Sequence, residues 1–232
     1  MQSNPFQNLG FEEVNRQVLP PGGVGTLAPI ANLLPGWQAF LGATELTTIG
    51  YNYLPELPGP GFVTIFDSLS GTSPFAGNFG LSIRENFENA PPIWVQQRGD
   101  IPSFAQRLIV TLAGLPLGVQ IDGQPLNVVS VIGSGASPTL MPTTVEYDLT
   151  PFTGRQNALL TIGPAPDPFG NQNGTTFDNI FFAVPEPGTA SLFALGAVGL
   201  VWQLWRLRRK QNAPAAASLL HQYGSTRQLN SN

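Results

Sequence analysis

Glycine and proline break this chain so often that its apolar residues fall in short runs separated by turns. There are 26 glycines and 23 prolines among 232 residues. The runs include Gly61–Asp67, Asn78–Arg84, Ile93–Gln97, Phe104–Leu112, Leu117–Ile121, Thr144–Leu149, Ala158–Ile162 and Phe177–Val184. Runs of this length, bounded by Gly, Pro, Asn and Asp, read as β-strands rather than helices. Asp122-Gly123, between Ile121 and Pro125, reads as a hairpin turn. Only 10% of the residues are charged and Lys210 is the single lysine, so the solvated faces of a helical protein could not be built. No fixed-period repeat and no internal linker appears. One all-β domain of eight to ten strands over residues 6–184 accounts for the pattern.

The residue inventory excludes several chemistries. There is no cysteine and one histidine, His221. Disulfide frameworks, thiolate metal sites and thiol nucleophiles are therefore absent, and no Ser-His-Asp triad can form in the body. All fourteen acidic residues lie in residues 1–187, with only five arginines beside them. That acidic balance opposes nucleic-acid binding. The acids are scattered, and no spacing singles out a facing catalytic pair. Glu85 and Glu88 read as a solvated strand end. The glycine clusters at 22–25 and 133–135 lack the Lys-Ser/Thr helix start of a phosphate loop. The chain is thus expected not to be an enzyme.

Residues 188–232 invert the balance, with no acid and five bases. Residues 190–205, Ala-Ser-Leu-Phe-Ala-Leu-Gly-Ala-Val-Gly-Leu-Val-Trp-Gln-Leu-Trp, carry neither charge nor proline. This is near the lower limit of about 17 residues for a spanning helix. Trp202 and Trp205 lie at the end next to Arg206, Arg208, Arg209 and Lys210, a cluster that prefers the cytoplasmic side and stops transfer. Just upstream, Pro185-Glu186-Pro187 should be extended and exposed. The order Pro-Glu-Pro, apolar helix, Arg-rich cluster resembles the PEP-CTERM sorting signal. That resemblance implies export and recognition by a membrane-embedded exosortase. Pro185, Glu186 and Pro187 would be the recognition motif, 190–205 the transient membrane anchor and Arg206 to Lys210 the stop, with cleavage near the motif. Residues 211–232, polar and rich in Ala, Ser, Gln and Asn, are expected to be disordered. Met1 to Gly10 carry neither a basic nor an apolar leader region, so an export signal is expected upstream of Met1. A tail-anchored protein with a cytoplasmic body is the rival arrangement, and the basic cluster would then face the wrong side.

The body has its own resemblance. Asn8-Leu9-Gly10-Phe11-Glu12, Pro35-Gly36-Trp37, Val95 to Pro102, the corner Tyr147 to Gly154 and Phe177-Asp178-Asn179-Ile180 resemble, in order, segments of the galactose-binding-like jelly rolls of many carbohydrate-binding modules. The fold implied is a jelly-roll β-sandwich followed by one C-terminal transmembrane-type helix. The resemblance also implies a structural calcium held by Glu12 and Asp178, which are otherwise ordinary strand-end acids; two carboxylates plus carbonyl oxygens suit that hard ion. Sugar binding needs aromatic platforms with polar neighbours. Trp94 could point outward, and Tyr51 and Tyr53 fall in a Pro-rich stretch fit for a rim, whereas Trp37 reads as core. The expectation is an exported surface or matrix protein with a structural or glycan-adhesive role in extracellular polysaccharide. The alternatives are a carbohydrate-active enzyme and a permanently membrane-anchored surface protein.

Overall fold

The computed structural model describes residues 4–19, 25–53, 61–68, 75, 77–85, 90–133, 142–165, 174–184 and 202–203. The chain divides into two units, Met1–Val184 and Pro185–Asn232. The first contains fourteen described strands. They are β1 (Thr26–Pro29), β2 (Gln38–Leu41), β3 (Thr44–Leu46), β4 (Thr48–Tyr51), β5 (Gly61–Asp67), β6 (Phe79–Glu85) and β7 (Ile93–Gly99), then β8 (Arg107–Gly114), β9 (Leu117–Ile121), β10 (Gln124–Pro125), β11 (Val128–Ile132), β12 (Thr143–Asp148), β13 (Ala158–Pro164) and β14 (Gly174–Ala183). One sheet has eight strands in the order β1-β4-β5-β6-β14-β8-β12-β11, the other six in the order β10-β9-β13-β7-β2-β3. Every pairing is antiparallel except β4 with β5.

The core lies between the sheets. From the six-stranded sheet it takes Ala39, Val95, Val119, Ile121, Leu160 and Ile162; from the eight-stranded sheet, Ile65, Val110, Val145, Tyr147 and Phe177. Alternation is clean in β7, β8, β9 and β13, as expected of strands with one face in the core. β5 is buried over Val63–Asp67 and β6 over Phe79–Ile83, on both faces, and so they read as continuous apolar runs. The Asp122-Gly123 turn is present, with φ +50° and +78° at its two residues, the left-handed pair that a two-residue hairpin needs.

Several expected elements take another form. The fourteen strands exceed the expected eight to ten because β1 to β4, β10 and β11 are short, and all of them but β11 have at most four residues. Asn8–Glu12, likened to a first strand, is a turn: Asn8 and Phe11 have φ of +48° and +56°, and the Phe11 amide donates to the Asn8 carbonyl (3.1 Å). Phe104 belongs to a turn after Pro102 and is exposed; β8 begins only at Arg107. Among the described residues no helix is long and apolar enough to cross a membrane. The expected span 190–205 lies outside those residues except for Trp202 and Gln203, which are helical. Pro185–Pro187, Arg206–Lys210 and residues 211–232 also lie outside them.

The irregular segment Asn4–Leu19 is fastened across the sandwich edge. Buried Gln97 accepts from the Gln7 amide (2.7 Å) and donates to the carbonyls of Gln7 (3.0 Å) and Gly36 (2.8 Å). The Ile180 amide donates to the Leu9 carbonyl (3.2 Å). Phe11 is fully buried against Trp37 and Phe177, with ring centroids 5.8 and 5.5 Å away. These contacts carry Glu12 to the last strand.

Candidate functional site

Two features of the body could act chemically, and the first is a carboxylate pair. Asp178 lies in β14 where the register with β8 shifts between Asp178 and Phe181. Asn179 takes φ +51° there, and its amide donates to Asp178 Oδ1 (2.6 Å). Glu12 reaches the same place from the N-terminal segment. Its Oε1 accepts from the amides of Asn78 (2.9 Å) and Phe79 (3.3 Å), and its Oε2 from the Asn78 side chain (3.0 Å). Gly77, at φ +143°, sits between the two acids. A Cβ on it would lie 2.6 Å from Glu12 Oε1 and 3.6 Å from Asp178 Oδ2.

The electrostatics follow from that placement. Asp178 is fully buried. Burial first, and the Glu12 charge after it, push the Asp178 carboxyl up to about 7, against the lowering effect of the Asn179 amide. The ion pairs among the described residues are Arg16–Asp67, Arg107–Asp148 and Arg155–Asp122, so no arginine neutralises either acid. Asp178 is buried and Glu12 exposed, and two carboxylates so placed with no arginine beside them fit a hard cation. The described residues hold no group of three or more His, Cys, Asp or Glu around one point. The remaining ligands would therefore be carbonyl or amide oxygens, for which Asn78 and Asn179 stand nearby.

The second feature is an aromatic and amide face. Ala39, Ile93, Val95, Leu160 and Ile162 point inward, so alternation puts Gln38, Phe40, Trp94, Gln96 and Thr161 on the outer face of the six-stranded sheet. Phe40 is opposite Trp94, and the two half-buried rings stack at 5.7 Å with 12° between their planes. In the next row Gln38 is opposite Gln96, which is opposite Thr161. Gln96 Nε2 donates to Gln38 Oε1 (3.2 Å), and Gln38 Nε2 donates to Glu45 Oε1 (2.9 Å). Beside Trp94, position 163 carries no side chain; a Cβ there would come within 3.2 Å of Trp94 Cβ. Apolar rings beside amide and carboxylate groups are suited to a ligand rich in both C–H faces and hydroxyls.

The structure does not bring Tyr51 or Tyr53 to this face. Tyr51 is buried in β4 of the other sheet, and its hydroxyl donates to Asp67 Oδ2 (2.6 Å). Burial and that carboxylate push the phenol up to about 12. It is a core residue and not part of a rim. Tyr53 is half-buried just after β4, its amide donating to Thr64 Oγ1 (3.3 Å). Trp37 is in the core as expected, its indole donating to the Asn8 carbonyl (3.3 Å).

Sequence reasoning named Glu12, Asp178 and Trp94 as candidates but not the residues that stand around them. Gly77, Asn78 and Asn179 frame the carboxylates, yet as Gly and Asn they resemble ordinary turn residues. Phe40, Gln38, Glu45 and Gln96 join Trp94 only through strand register, which β2 and β3 were too short to reveal.

No curated protein matches the chain in sequence. Among solved structures, the chain is similar to TmCBM61, a carbohydrate-binding module, in a complex with β-1,4-galactotriose. That similarity has 12% identity and a TM-score of 0.32, covering 79% of this chain and 99% of the module. The family comparison falls on the other unit, beginning at the last residue of β14. Residues 183–209 match the family described as the PEP-CTERM protein-sorting motif, and the chain carries that sorting motif directly after its β-sheet body.

Proposed function

We propose that this protein is exported, sorted by an exosortase and delivered to the cell surface or the extracellular matrix. The match of residues 183–209 to the sorting motif carries this reading. In it, Pro185, Glu186 and Pro187 are the segment gripped by the sorting enzyme. Residues 190–205 hold the chain in the membrane, and Arg206, Arg208, Arg209 and Lys210 stay on the cytoplasmic side. Cleavage near the motif then frees the body. Intact mass of the surface-recovered protein tests it: loss of the residues beyond about Pro187 supports processing, and a complete C-terminal segment contradicts it.

The body then serves as a non-catalytic module that adheres to polysaccharide. The stacked Phe40–Trp94 pair, with Gln38, Gln96 and Glu45 beside it, supports this reading. Glycan arrays probed with the wild-type protein and with Trp94→Ala test it; equal signals from both would refute the role of this face. Glu12 and Asp178 hold a structural calcium that ties the N-terminal segment to the last strand. The two carboxylates on either side of Gly77 support that assignment. When bound, the ion supplies charge neutralisation and no reaction step.

A further inference from the structure

We propose that β11 is a self-association edge, through which two copies of this chain pair β11 against β11, antiparallel about a two-fold axis. Among the described strands, four end a sheet: β1, β11, β10 and β3. Three of them carry the features that discourage pairing with another chain. β1 ends in Pro29, β10 has two residues of which one is Pro125, and β3 has three residues with Glu45 in the middle. β11 alone has five residues, Val-Val-Ser-Val-Ile, with neither proline nor charge. Val128, Val129, Val131 and Ile132 are 55%, 49%, 63% and 58% exposed. A bulge against β12 lies between Val128 and Ser130, and the pairs from Ser130 to Ile132 are regular.

The absence of charge on β11 suits a second copy as the occupant. A two-fold axis sets a strand against itself, so any charged residue would face its own like charge. Every register within Val128–Ile132 instead sets uncharged residues opposite one another, most of them β-branched, which pair well across strands. The cavity beside this edge adds a second reason. Val128 and Val131 line a space of about 300 Å³ together with Leu112, Leu117, Val145 and Tyr147. The sandwich is thus open and apolar under β11. A partner β11 would extend the same sheet and bring its own Val128 and Val131 to that floor. With one such edge among the described strands of each copy, the pairing closes at two copies. The acidic bodies repel one another at long range, so screening by salt should tighten the dimer.

The test uses the full chain in detergent micelles. Light scattering should give twice the chain mass, and the Val131→Lys/Ile132→Lys double variant should lose the dimer without losing its melting midpoint. Since the chain has no cysteine, single cysteines at positions 129 to 132 in separate variants give a second measurement. At least one should oxidise to a covalent dimer, while Thr44→Cys on β3 should not. A monomeric wild type at every concentration overturns the proposal. So does a dimer that survives the double lysine substitution, or one that dissociates as salt is raised. Cysteine cross-linking no stronger on β11 than at position 44 overturns it as well.

Discussion

Among the described residues, Asp178 is the carboxyl most raised by its surroundings, and its titration makes the carboxylate site measurable. Its folded pKa, about 7, lies above the ordinary carboxyl value. The folded state therefore binds more protons than the unfolded chain between roughly pH 4 and 7. Without divalent cations, stability should fall as pH rises through that window; melting curves from pH 4 to 8 in chelator check this. Calcium should remove most of the slope, and identical midpoints with calcium and with chelator would sink the site. Asp178→Asn should raise the metal-free midpoint at pH 8 and abolish the calcium response, because the buried charge is gone. Gly77→Ala acts on the same spot by sterics and backbone. At φ +143° an added Cβ is strained and would crowd Glu12 Oε1, so a loss of about 1–3 kcal/mol is expected in denaturant titration.

At the scale of elements, the N-terminal segment and β14 depend on one another. Tyr51 and Arg16 both serve buried Asp67, and Arg16 also lies over the Phe79 ring at 4.6 Å. Tyr51→Phe removes the hydroxyl that donates to the buried Asp67 carboxylate, which should cost about 1–3 kcal/mol in denaturant titration. Phe177→Ala, in the strand between β6 and β8, should cost about 3–5 kcal/mol by the same measurement. The strands that were legible beforehand explain the ones that were not. β9 was readable residue for residue, since Asp122-Gly123 marks its end and its alternation is strict. β2 was not, because Gln-Ala-Phe-Leu is too short for its alternation to show until β7 fixes the register. Asn8–Glu12 misled because its Phe and Glu are placed by left-handed backbone at Asn8 and Phe11, which composition does not reveal. Likewise Trp94 was visible as an aromatic, but its stacking partner Phe40 was 54 residues away and only pairing joins them.

At the scale of the whole molecule, the charge partition and the contacts divide the chain at nearly the same place, the contacts into Met1–Val184 and Pro185–Asn232. The acidic unit ends its last strand at Ala183, and the sorting motif begins at that same residue. The body and its address are thus contiguous, with Val184 between the strand and Pro185. The central claim is that this address is read and the body released. The most direct measurement is the intact mass of the protein recovered from the surface of an exosortase-bearing host, for the wild type and for Glu186→Ala. The wild type should have lost everything beyond about Pro187, and the variant should keep its C-terminal segment and stay with the membrane. Wild type and variant recovered alike, both with residues 190–232 intact, would contradict it.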